Sequence, residues 1–214
     1  ILIALVGAGW SIGVNAAAAC LVVLTLGIMR VSELLPSPKV RPAKGQIRQG
    51  LRYVRNKPTI LWPLIMLAFV ATFGMSLPVL LVAFADTVFG TGAAGYGLYS
   101  SAAAVGALSG AIASTRRMNF RLRSIMLAAG LFGLALVATG LSPTTLLFMV
   151  FLASIGFCRL LFATGAESIV QLSSNRAIRG RVMAVYSMVV LGGQAIGGPI
   201  IGWAAEQFGV REAM

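Results

Sequence analysis

Histidine is absent from this chain, and acids and thiols are scarce: five Asp and Glu and two Cys among 214 residues. Without histidine, no His-based metal centre, no Ser/His/Asp triad and no Cys/His pair can form. Cys20 and Cys158 both sit inside apolar runs, where a thiol serves as a small apolar side chain, and neither is assigned a role. Charge of either sign is sparse too, at 10% of residues against roughly 25% in a soluble globular domain. That excludes an ordinary soluble domain. The phosphate-binding pattern G-x-x-x-x-G-K-[ST] is missing, so no ATP-binding loop is available. The chain opens on Ile1 and is apolar from its first residue, without the charged leader of a signal peptide, and is expected to be a piece of something longer.

What is present is apolar: 58% of residues are hydrophobic. The formal net charge of +12, from 17 Lys and Arg, would on its own suggest a nucleic-acid partner. Its distribution removes that reading. Apart from Arg159 and Arg211, the basic residues fall in three clusters, 30–57, 116–123 and 176–181, between long uncharged stretches. A helix needs roughly 20 apolar residues to cross a bilayer. Uncharged runs near that length cover 1–29, 58–85, 94–115, 124–141 and 182–205, and a sixth, 144–173, is interrupted only by Arg159 and Glu167. The expected fold is therefore all-α, a polytopic membrane protein. The connections alternate: those after the first, third and fifth spans hold eight, four and three basic residues, and the other two hold none. Because Lys and Arg accumulate in cytoplasmic loops, the basic connections are expected inside the cell membrane and the C-terminal tail outside.

The first run is longer than one span needs, and Gly7-Ala8-Gly9 is read as a turn that leaves residues 1–6 as the tail of a preceding helix. Ile1 to Trp10 can be laid over Ile201 to Val210 with Gly9 on Gly209, an offset expected of transporter folds built from repeated halves. In the long basic loop, Pro36, Pro38 and Pro42 keep the first part extended. Ile47, Leu51 and Val54 then recur at helical spacing with Arg48, Arg52 and Arg55 between them, the pattern of an amphipathic helix on the inner membrane surface among anionic headgroups.

Glycine supplies two tempting patterns. Gly90-Thr91-Gly92-Ala93-Ala94-Gly95 matches the dinucleotide fingerprint, but it joins two spans instead of following a strand, and the next acid is Glu167. A tight external turn is the expected use. Gly193, Gly197, Gly198 and Gly202 in the last span imply close helix packing, with Pro199 as an alternative hinge. Pro63 and Pro78 are expected to kink the second span.

The polar residues within the spans carry the functional reading. Arg159 lies near mid-depth of its run, where a charge is costly and faces a cavity or a partner. Contact with substrate or coupling ion and a structural ion pair both remain open. Glu167 sits eight residues further on, too far along the helix for a direct pair, and close to Gln171, Arg176, Arg179 and Arg181. These five are expected to form a gate, with Glu167 in a charge clasp or as a proton carrier. Asn15 lines the pathway or satisfies a helix-helix hydrogen bond. Asp86 reads as a solvated carboxylate. The intramembrane inventory offers no nucleophile-base pair, so an enzyme is not expected, nor any metal or cofactor.

Taken together, Gly50-Leu51-Arg52-Tyr53-Val54 before Pro58, Phe89-Gly90 with Gly95-Tyr96-Gly97-Leu98, Gln171 followed by Arg179-Gly180-Arg181-Val182-Met183, and Asn15 carry a resemblance. Over nearly its whole length the chain resembles the major facilitator superfamily, in the branch that includes enterobactin exporters and macrolide efflux proteins. Asn175 and Ala177 stand where that family often has a Pro and an acid, and residues 116–123 lack the Asp of its signature loop. The resemblance implies twelve helices with both ends cytoplasmic. Residues 1–29 would be the end of the N-terminal bundle (end of helix five, helix six), 30–57 the cytoplasmic linker, and 58–214 the C-terminal bundle from helix seven to eleven, with helix twelve missing. It also implies proton-coupled efflux of an amphipathic small molecule, drug-like or siderophore-like. An uptake permease and a non-transporting membrane assembly or sensor are the alternatives.

Overall fold

A computed structural model of the chain describes residues 2–28, 45–74, 77–115, 121–212 and 214. Among them the regular structure is helical, with no strand. The prolines 36, 38 and 42 and the basic residues 116 and 117 lie outside the described residues. The chain forms two compact units, Ile1–Lys44 and Gly45–Met214.

The first unit holds α1 (Leu2–Ile28). It corrects the reading of a turn at Gly7-Ala8-Gly9, since one unbroken helix runs through these residues. Each glycine lowers helix propensity by only about 1 kcal/mol relative to alanine, and the nineteen residues from Trp10 to Ile28 contain no proline. Gly209, by contrast, ends its helix at φ 100°, so the two ends of the proposed repeat differ in local structure.

The second unit begins with α2 (Gln46–Arg55), then a long span made of α3 (Pro58–Phe69), a π-helical turn (Val70–Gly74), α4 (Leu77–Ala83) and a second π-helical turn (Phe84–Val88). Pro58 opens α3 at its first turn, where no N–H partner is needed. Pro78 occupies the same kind of place at the start of α4 and Pro63 lies within α3, while the described departures from α geometry are the two π-helical turns. The turn after the span uses Gly90 at φ 60° and Gly92 at φ 55°, the left-handed geometry that a glycine adopts freely. Next come α5 (Gly92–Thr115), α6 (Leu122–Gly140), α7 (Thr145–Ser173) and α8 (Arg179–Phe208). The Thr144 hydroxyl caps α7 by accepting from the Leu147 N–H at 3.4 Å.

Four described segments are long and apolar enough to cross a membrane: Pro58–Val88, Leu122–Gly140, Thr145–Ser173 and Arg179–Phe208. At 24 residues α5 has the length, but its Gly, Ala and Ser content keeps it out of that set. On α6 the exposed side chains Leu127, Leu131, Leu134 and Val137 form a stripe at helical spacing, with Leu127 and Leu134 each 68% exposed. In water such a stripe would be an aggregation surface; in lipid it is the expected outer face.

The core runs along α7, where Phe148, Leu152, Ile155, Phe162, Ala166 and Val170 are buried at spacings of three to seven residues. Against it lies α5, at close range. A Cβ on Gly110 would stand 2.7 Å from the Phe157 carbonyl oxygen, one on Gly106 would collide with the backbone of Ala153, and one on Gly156 would strike the Ala103 carbonyl. The tightest glycine packing is therefore between α5 and α7, where the sequence reading placed it on α8. There Gly193 meets a close neighbour, with Ala71 Cβ 2.7 Å from where its own Cβ would be, and Gly197 is buried. Gly198 and Gly202 have nothing within 4 Å.

The amphipathic helix α2 is present, with a different face turned inward. Val54 is buried and Gly50 lies against α8, its would-be Cβ 3.2 Å from the Arg181 carbonyl oxygen and 3.3 Å from Val185 Cγ2. Ile47 and Leu51 remain 59% and 57% exposed, on the flank between this docked face and the arginines.

Candidate functional site

Arg159 stands fourteen residues from either end of α7, so roughly 21 Å of helix separates it from each terminus. It lines a cavity of about 200 Å³. The second span contributes Gly74, Pro78 and Leu81, and α5 contributes Tyr96, Ser100 and Ala104. Gly74 of the first π-helical turn and the small residues Ser100, Ala103, Ala104 and Ala107 of α5 line this space, with Leu77, Leu81 and Tyr96 as its bulkier walls. None of the lining residues is acidic, and among the described residues Arg159 has no ion-pair partner. On the α5–α6–α7 face a groove of about 730 Å³ is walled by Leu131, Leu134, Phe151 and Phe157 and carries no charged group. The cavity, by contrast, presents a guanidinium and two hydroxyls within an apolar wall.

The basic end of the bundle is held by bonds to neutral acceptors. The Lys57 ammonium donates to the Ser173 carbonyl at 2.7 Å and to the Tyr53 hydroxyl at 3.0 Å. The Tyr53 hydroxyl also accepts from the Asn175 N–H at 3.3 Å. Arg181 Nη1 donates to Gln49 Oε1 at 2.5 Å. Together these tie α2 to the end of α7 and the start of α8. The Lys57 hydrogen bond, and after it the one from the Asn175 N–H, hold the Tyr53 hydroxyl below its usual pKa of 10.0.

The expected charge clasp is not formed here. Glu167 is exposed and accepts from Gln171 Nε2 at 2.9 Å, one turn along its own helix. Among the described residues it makes no ion pair with Arg176, Arg179 or Arg181. The physical reason is position: Glu167 lies six residues before the end of α7, about 9 Å below the loop that carries the arginines. Arg179 has a buried Nε without a hydrogen-bond partner. Asn15 lies midway along α1, in the first unit.

Gln49 and Lys57 did not stand out in the sequence, and Tyr53 did so only within the motif Gly50-Leu51-Arg52-Tyr53-Val54. Lys57 lies beyond the end of α2, with extended backbone before α3, so helical spacing in the sequence does not reveal its bond to Tyr53. Asn175 gains meaning as well, because a Pro at that position would lack the N–H that Tyr53 accepts. Among the described residues no cluster of three metal-binding side chains occurs.

A family model described as transmembrane secretion effector, of the major facilitator superfamily, matches residues 1–214. The chain belongs to that family. No curated protein and no solved structure matches it significantly. Membership makes the chain a multi-pass membrane transporter and not an enzyme, acting on small molecules within a lipid bilayer. It also decides between a transporter and a non-transporting assembly in favour of the transporter.

Proposed function

We propose that this transporter exports an amphipathic small molecule, drug-like or siderophore-like, in exchange for protons, as in the branch that includes enterobactin exporters and macrolide efflux proteins. The observation that carries the reading is the Arg159 cavity: a charge at the midpoint of a spanning helix, facing a space walled by three helices. On this reading residues 1–29 belong to the N-terminal bundle, 30–57 to a cytoplasmic linker and 58–214 to the C-terminal bundle. The basic loops face the cytoplasm across the inner membrane. Asn15 is a residue of the transport pathway. Glu167, Gln171, Arg176, Arg179 and Arg181 form the cytoplasmic gate, a reading supported by the hydrogen bonds from Gln171 to Glu167 and from Arg181 to Gln49. Arg48, Arg52 and Arg55, beside exposed Ile47 and Leu51, rest on anionic headgroups.

The test is Arg159→Ala in the full-length protein. Transport is expected to fall to background while membrane insertion stays normal; ordinary transport by that variant sinks the assignment. Uptake in place of export is distinguished in vesicles by reversing the proton gradient.

A further inference from the structure

The exporter reading above leaves the sign of the substrate's charge open, and the cavity bears on it. A guanidinium at mid-membrane needs an anionic or strongly accepting partner, because an uncompensated charge there is expensive. The lining offers none: Leu77, Leu81 and Ile155 are apolar, and Tyr96 and Ser100 bring hydroxyls, which can add further donors beside Arg159. The planar fork of an arginine matches a carboxylate, sulfonate or phosphate through two parallel hydrogen bonds. Volume narrows the reading. About 200 Å³ amounts to roughly seven water volumes, below the 300 Å³ or so at which drug-sized ligands begin to fit. The space takes a headgroup with an attached ring and leaves the remainder of a larger molecule outside.

We infer that the Arg159 cavity is the seat of the anionic headgroup of an amphipathic substrate, with Tyr96 and Ser100 as supporting donors and the alanine and leucine wall receiving the adjoining apolar carbon. The inference rests on the exporter reading and adds the charge class of what is exported.

The experiment uses two probes of the same shape, 2-naphthoate and its neutral counterpart 2-naphthamide, binding to the full-length protein in lipid nanodiscs. The anion is expected to bind at least about tenfold more tightly, since hydrogen bonds to charged groups contribute that much. R159Q is expected to remove the preference and R159K to keep part of it. A104L, which adds bulk to an exposed alanine of the lining, is expected to weaken both probes without touching the charge. Equal affinities in the wild type overturn the inference, as does a preference that survives in R159Q. If R159Q does not yield folded protein, R159K and A104L decide: naphthoate binding unchanged in A104L overturns it. The two readings fail separately. Charge-selective binding without vesicle transport keeps this seat and removes export, whereas equal transport of anionic and neutral amphiphiles keeps export and removes the anion seat.

Discussion

At the scale of single residues, the α5–α7 crossing depends on three hydrogen atoms where other residues carry a side chain. Gly106, Gly110 and Gly156 each face the opposite backbone, so any larger residue forces the two helices apart. Gly156→Val is expected to cost about 3 kcal/mol, the upper part of the usual overpacking range, and to lower the thermal unfolding midpoint in detergent. Gly202→Ala provides the contrast. With nothing within 4 Å of its would-be Cβ, it is expected to leave the midpoint unchanged or raise it slightly, by the roughly 0.5–1 kcal/mol that a helical Gly-to-Ala change contributes. A drop in both variants, or in neither, contradicts the assignment of close packing to α5 and α7. The sequence shows Gly106 and Gly110 at four-residue spacing on α5 just as it shows the glycines of α8. It cannot say which set faces a neighbour, because lipid and protein interior are equally apolar and leave no polar stripe to mark the outside.

At the scale of elements, α2 is the piece whose docking can be followed by titration. Its Tyr53 hydroxyl accepts from Lys57 and from the Asn175 N–H, and both bonds favour the ionised oxygen. A pKa lowered in the folded protein contributes stability that is fully present above the unfolded value of 10.0 and is lost as pH falls through the lowered value. The attachment of α2 is therefore expected to strengthen as the solution is made alkaline. The difference in tyrosinate absorbance between wild type and Tyr53→Phe should show one tyrosine ionising below pH 10; a midpoint at or above 10 contradicts the docked geometry. Here the sequence was partly readable. A water-facing helix does carry a stripe, and the helix itself was legible. Its inward face was not, because Gly50, a residue with no side chain, lies at the contact, while Ile47 and Leu51 stay outside.

At the scale of the whole molecule, the alternation of basic and neutral connections predicts which end of the bundle faces the cytoplasm. In a background lacking Cys20 and Cys158, a cysteine at exposed Thr87 is expected to react with a membrane-impermeant maleimide in intact cells, and one at exposed Asn56 only after permeabilisation. The opposite pattern overturns the orientation. The place of Arg159 at the middle of its helix was legible because charge in lipid is costly and so stands out. The composition of α5 hid its role: Gly, Ala and Ser lower its hydropathy below that of its neighbours, and the same small residues let it pack most closely on α7. One further consequence lies in the two π-helical turns of the second span. Each such turn holds one residue more than α geometry needs, so the loss of a residue from Val70–Gly74 or Phe84–Val88 can be absorbed by a return to ordinary helix. Loss of a residue between Gly106 and Gly110 has no such relief and swings everything beyond it by about 100° around the helix axis. Related chains are thus expected to drift in length at these turns and to hold α5 to a fixed count.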